Sequence, residues 1–286
     1  MTSTNQTAGS SSPAAPALTT PAGAPSIAAA FTAPDGTRRK AFIPFLTCGD
    51  PSLDVTERLV VEMARSGADL IELGIPFSDP MAEGPTIQQA NVRALSGHVT
   101  TDDVLAMVRR VRPRVDVPLV FMTYANVLFS YGIERFAANA AEAGVAGVIL
   151  PDVPFEEKTE FAEPLGAAGL ELVSLIAPTS HERIRQIASA ARGFVYCVSS
   201  LGVTGVRSQI TGDVGEMVGH VRAVTDVPTA VGFGISTPEQ ARAMAAASDG
   251  AIVGSAIVRM IGELGQGCVG TVADYVREMA EATHSA

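Results

Sequence analysis

The sequence predicts an α/β protein, a (β/α)8 TIM barrel with additional short helices. Eight short apolar, β-branched runs recur from about residue 38 onward, and stretches of helical period separate them. Each run is apolar almost throughout, the pattern of a parallel strand covered on both faces. Gly67, Gly144 and Gly169 stand where helices should end, just ahead of the next run. Eight such units in about 250 residues spell a closed barrel. A doubly wound open sheet is the alternative the same pattern allows.

Taken in order, residues 1–34 carry no charged side chain and are rich in Ala, Ser, Thr, Pro and Gly. That composition offers no apolar face, so a disordered tail is expected, followed by one barrel domain over 35–286. The tail has neither the basic start and apolar core of a secretory signal nor the arginines of a transit peptide. The expected strands lie in AFIPFLTCG (41–49), ADLIELGIP (68–76), VPLVFMTYAN (117–126) and VAGVILPDVP (145–154). The second four lie in LELVSLIAP (170–178), GFVYCVSS (193–200), PTAVGFGIS (228–236) and GAIVGSAIV (250–258). Helix starts fall between them. Asp54 with Glu57 reads as a capping-box variant, and Ser180 stands ahead of Arg183. In STPEQ (236–240), Thr237 can cap, Pro238 takes the first helical position and Gln240 closes the box.

A chain of 286 residues, 47% hydrophobic, has ample material for a core. No apolar run is long enough to span a bilayer. The net charge of −10 argues against nucleic acid or an anionic membrane as partner. It is compatible with a phosphorylated substrate, since backbone N–H groups can build an anion site locally. Cys48, Cys197 and Cys268 are far apart and form no C-x-x-C, so neither a zinc site nor a disulfide framework is expected, and a cytoplasmic setting is the natural reading. His98, His181, His220 and His284 are scattered and read as solvated surface.

In a barrel the chemistry sits at the C-terminal ends of the strands. Glu72, Tyr124, Asp152, Tyr196, Gly234 and Gly254 all fall at or near such ends. Glycine-bearing turns follow the last three strands: GVTG (202–205), GFGIS (232–236) and VGSA (253–256). Glycine admits an anion close to the backbone, and Ser255 adds a hydroxyl at a helix start, which together point to a phosphate site.

The motif ELGIPFSDPMAEGPTIQ (72–88), with PFLTCGDP before it and GVTG, GFGIS and GSAIV after it, resembles the tryptophan synthase alpha subunit family. The likeness runs from about Phe42 to the end and leaves the uncharged tail outside. It implies a barrel lyase that cleaves indole-3-glycerol phosphate to indole and glyceraldehyde 3-phosphate. It also implies a beta-subunit partner, in a complex of two alpha and two beta chains, with pyridoxal phosphate only in the beta chain. By the same resemblance Glu72 is the catalytic glutamate, Tyr196 the tyrosine near it and Tyr124 another tyrosine lining the site. Phe45 lies beside the indole. Thr204, Gly205, Gly234, Gly254 and Ser255 correspond to substrate-binding positions, chiefly for phosphate. The loops PFSDP and SSLGVTG match the two that close over substrate and face the partner.

The reaction explains these residue types. Indole must be protonated at C3 before the carbon–carbon bond can break, and a base must take the proton of the adjacent hydroxyl. One carboxyl group can do both if apolar surroundings raise its pKa, a place Glu72 suits. A second carboxylate near the indole N–H stabilises the developing positive charge. No metal or organic cofactor is required. The sequence departs from the family at this second carboxylate: Glu83 stands where an aspartate is usual, one methylene longer. A displacement of about 1 Å can cost about a hundredfold in rate. The alternatives are therefore a stand-alone lyase or a catalytically impaired regulatory subunit. A phosphosugar isomerase or epimerase would share the phosphate site but leaves the second-strand motif unexplained. Asp79, in PFSDP, reads as a loop acid.

Overall fold

The computed structural model describes residues 24–198, 207–232 and 234–286. Eight parallel strands pair in chain order and β8 returns to β1, closing the barrel. They are β1 (Ala41–Thr47), β2 (Ile71–Gly74), β3 (Leu119–Met122), β4 (Gly147–Ile149), β5 (Glu171–Ile176), β6 (Val195–Val198), β7 (Thr229–Gly232) and β8 (Gly250–Val253). The barrel is thus the correct choice over an open sheet, and each strand falls inside the run expected to hold it.

The helices are α1 (Leu53–Arg65), α2 (Pro85–Ser96), α3 (Thr101–Val111), α4 (Ala125–Tyr131), α5 (Ile133–Glu142) and α6 (Thr159–Ala167). They continue as α7 (His181–Ser189), α8 (Arg207–Arg222), α9 (Pro238–Ala247), α10 (Ser255–Leu264) and α11 (Val269–His284). The extra helices are those doubled after β2, β3 and β8. Among the described residues no helix is long and apolar enough to cross a membrane.

The local signals behave as their chemistry dictates, with one exception. Thr237 and Gln240 form a reciprocal capping box ahead of α9, with Pro238 in its first turn. The Ser180 side chain accepts the Arg183 N–H at the start of α7. Gly67, Gly144 and Gly169 take φ of +103°, +85° and +82°, the left-handed geometry that ends a helix. At α1 the cap is Ser52, whose side chain accepts the Val55 N–H, and Asp54 lies inside the first turn. Either residue type can cap; Ser52 is the one in the extended geometry the cap requires.

Two apolar cores are concentric. The outer one lies between strands and helices. The inner one fills the barrel with Ile43, Leu70, Val120, Ile149, Val173, Phe194, Ala230 and Ile252. A short 3-10 helix, η1 (Ile27–Phe31), ahead of residue 35, gives Ile27, Ala30 and Phe31 to this inner core. Ile27 and Ala30 are fully buried, and the Phe31 ring meets Phe194 with centroids 5.8 Å apart. The barrel needs a stopper at its N-terminal end, and the apolar members of SIAAAF supply it. Burying Ile27 and Phe31 contributes roughly 1.5–3 kcal/mol each. A Cβ on Gly147 would come within 2.5 Å of the Glu171 carbonyl of β5 and 2.9 Å of Ile27, so that strand start has no room for a side chain.

Candidate active site

At the opposite, C-terminal end, the strand tips surround a cavity of about 620 Å³. Phe45, Glu72, Glu83, Tyr196, Gly234, Gly254 and Ser255 all line it. Residues from β1, β2, β6, β7 and β8 thus converge as the barrel topology requires.

Glu72 is paired across the sheet with Phe45 on one side and Val120 on the other. Its side chain is fully buried, and neither carboxylate oxygen has a hydrogen-bond partner among the described residues. Burial alone pushes its pKa well above the ordinary carboxylate range, so the neutral acid is the resting form. The phenol of Tyr196, on β6, is driven up chiefly by burial, and by Glu72 whenever that carboxyl is ionised. The two aromatic rings are seated by missing side chains. A Cβ on Gly232 would lie 2.7 Å from the Tyr196 ring, and one on Gly74 would lie 2.8 Å from the Phe45 ring.

Glu83 precedes α2 and reaches the cavity from the loop after β2. Its pKa is pushed up to about 7 by burial, against hydrogen bonds with Asn91 and Tyr124. Asn91 Nδ2 donates to Glu83 Oε2 at 3.2 Å and to the Ile87 carbonyl at 3.0 Å. The Asn91 side-chain oxygen accepts the Phe77 N–H at 2.9 Å, tying the loop to α2. Asn91 was not foreseen. Its signal was available, since Glu83, Ile87 and Asn91 recur every four residues along one helical face.

Tyr124 hydrogen-bonds the carboxyl of Glu83, itself on the cavity wall. Its hydroxyl accepts the Ala82 N–H at 3.1 Å, and its ring stacks on Phe77 with centroids 5.1 Å apart. As the residue just ahead of α4 it is aimed along the rim, where the loop after β2 covers it. Asp152 also serves the rim: both its oxygens accept the Ala125 N–H at 3.1 Å, at the start of α4. Asp79 is exposed and accepts the Ser78 hydroxyl at 2.7 Å. Thr204 and Gly205 lie outside the described residues.

The wall formed by Gly234, Gly254 and Ser255 has backbone character. Gly234 takes φ of +74°, and Gly254 is the N-cap of the ten-residue α10. Unpaired N–H groups at a helix start favour an anion. Lys158 and Arg183 also line the cavity, two cations the sequence did not single out. Arg183 is held by an ion pair with Glu156, and burial lowers the pKa of Lys158.

A barrel with a buried acid that has no partner among the described residues facing an apolar cavity, and a helix start on the same wall, defines an acid–base enzyme for a small, partly apolar anion. The family model for the tryptophan synthase alpha chain matches residues 31–284, and the chain belongs to that family. A tryptophan synthase alpha chain of Geobacter sulfurreducens is 50% identical over 262 residues, covering 90% of this chain and 98% of the relative. One from Lactiplantibacillus plantarum is 48% identical over 244 residues, covering 85% and 92%. The crystal structure of tryptophan synthase subunit alpha from Legionella pneumophila superposes with a TM-score of 0.79 at 38% identity, over 86% of this chain and 94% of that one.

Proposed function

We propose that the chain cleaves indole-3-glycerol phosphate by a retro-aldol reaction, releasing indole and glyceraldehyde 3-phosphate, in tryptophan biosynthesis. Glu72 is the proton shuttle. As a neutral acid it protonates indole C3, and as the resulting carboxylate it takes the proton of the side-chain hydroxyl while the carbon–carbon bond breaks. Tyr196 packs beside it and keeps water from the carboxyl. Glu83, once ionised, accepts the indole N–H and offsets the positive charge of the protonated ring. Asn91 and Tyr124 hold Glu83 in place, which supports the longer carboxylate as a working substitute for aspartate. Phe45 offers its ring to the indole. Gly234, Gly254 and Ser255 receive the phosphate, with Thr204 and Gly205 completing that subsite.

The observation that carries this reading is Glu72: a fully buried carboxyl without a hydrogen-bond partner among the described residues, on the wall of a ligand-sized cavity. Such a group is costly to keep and is retained for chemistry. The partner is a pyridoxal-phosphate-dependent beta subunit, in a complex of two alpha and two beta chains that works in the cytoplasm. Met81 is 91% exposed beside the cavity, an apolar side chain suited to being covered by that partner. The alpha chain itself needs no cofactor for this reaction.

The test is cleavage of indole-3-glycerol phosphate by the purified chain, alone and with a beta subunit, beside Glu72→Gln. Partner-dependent cleavage that Glu72→Gln abolishes is the expected result. Equal cleavage without the partner would make the chain a stand-alone lyase. Cleavage that survives in Glu72→Gln would remove Glu72 from the mechanism.

A further inference from the structure

His181 and His220, which the sequence left as solvated surface, come together with Glu216 where α7 meets α8. Each offers one ligand atom, and the three atoms lie within 4.8 Å of one another. His181 Nε2 is 3.3 Å from Glu216 Oε1, and His220 Nε2 is 3.7 Å from the same oxygen. Ligand bonds of about 2.0–2.1 Å to a tetrahedral zinc put neighbouring ligand atoms about 3.3 Å apart. Two edges of the cluster therefore already have the size of a coordination shell. The remaining edge closes by turning His181, whose side chain is 61% exposed.

A second observation separates the cluster from an ordinary surface ion pair. His220 Nε2 is buried and has no hydrogen-bond partner among the described residues. The two imidazole rings face each other with centroids 3.9 Å apart and planes 31° from parallel. Two protonated rings at that distance repel, and two neutral rings leave the inner nitrogen of His220 unsatisfied. A shared cation resolves both: it uses the lone pairs of neutral imidazoles and is balanced by the Glu216 carboxylate.

We propose that His181, Glu216 and His220 bind a divalent transition-metal ion of the zinc class. Glu216 and His220 supply a pair four residues apart on one face of α8, and His181 supplies the third ligand from the first turn of α7. Two imidazoles and one carboxylate suit zinc, nickel or cobalt and are a poor set for magnesium or calcium, which take oxygen ligands. Three protein ligands leave a fourth position to water. The bound ion joins α7 to α8 at the edge of the barrel mouth, where Arg183, two residues beyond His181, lines the active-site cavity.

The test is calorimetric titration of the chelator-treated, desalted full chain with zinc chloride, with magnesium chloride as the negative control. One equivalent should bind at micromolar zinc, raise the thermal midpoint by linkage, and be lost in His181→Ala and in His220→Ala. Glu216→Gln should weaken binding by about tenfold or more. Cobalt should give the absorption bands of a four-coordinate nitrogen–oxygen site, and the same bands in His220→Ala would overturn the assignment. So would zinc binding that all three variants retain, which would place the ion elsewhere, or no binding at zinc concentrations well above micromolar. Circular dichroism of each apo variant against the wild type distinguishes a lost ligand from a lost fold.

Discussion

The two ends of the barrel treat buried carboxylates in opposite ways. At the N-terminal end, Asp69 accepts the Phe42 N–H at 2.8 Å and pairs with Arg39 at 3.0 Å and His284 at 2.7 Å. Asp249 accepts the N–H and hydroxyl of Thr229 at 2.9 and 3.0 Å and pairs with Arg222 at 3.1 Å. At the mouth, Glu72 is more deeply buried than either and has no partner among the described residues. Paired acids staple strand starts, β2 and β8, to the rest of the fold. The unpaired acid stores a proton. The difference teaches where this chain invests in stability and where it gives some up for chemistry.

Exchanging the character of the two ends should break that contrast. The largest effect is expected for Glu72→Gln: cleavage should fall by about 10³-fold or more, in the range for loss of a general acid–base group. Its stability in urea should stay within about 1 kcal/mol of wild type, because a neutral amide takes the place of a neutral carboxyl of the same shape. A large loss of stability would show Glu72 to be structural. At the other end the pattern should invert. Asp69→Ala strands the Phe42 N–H and the facing Arg39, and should cost about 3 kcal/mol. Phe31→Ala empties the plug and should cost about 3 kcal/mol as well. For both, kcat measured on the folded fraction should stay near wild type; a hundredfold drop would tie the plug to catalysis.

Two smaller effects sharpen the comparison at the mouth. Glu83 titrates at about 7 in the folded chain and near 4.5 when unfolded, so the folded state holds its proton more tightly. Stability should therefore decline as pH rises from about 4.5 to about 7, the full cost being present above 7. That component should vanish from chemical-denaturation curves of Glu83→Gln. Cleavage needs the carboxylate, so the rate should climb through pH 7 in the wild type, and a flat profile there would free Glu83 from the role proposed. Asn91→Ala is the mildest case. It removes a hydrogen bond that favours the ionised form, so the rising limb should move to higher pH by less than about one unit.

The mouth was more legible in the sequence than the plug. Glu72, Tyr196 and the glycine turns stand at or near strand ends, which periodicity locates, whereas Phe45 and the roles of these residues came from the family resemblance. Asn91 was within reach of the same logic, one helical face beyond Glu83. Tyr124 was placed at the right strand end, but its contacts with Ala82, Phe77 and Glu83 were not foreseen, because strand position does not say which loop will cover a side chain. Ile27 and Phe31 sit in a stretch whose composition reads as tail, and only the open end of the barrel gives those few apolar residues a place to bury. The histidines were unreadable for a related reason: His181 and His220 are 39 positions apart, and their meeting depends on how α7 packs on α8.

The sequence by itself determined the eight strands, their parallel order and the end of the barrel where chemistry occurs. These follow from patterns local to each β–α unit, repeated until closure is forced. Only the tertiary structure decided which acids are paired, which proton is held, what plugs the barrel and which surface side chains can share an ion. Those depend on solvent exclusion and on distances between residues far apart in the chain, and neither is encoded in any one segment.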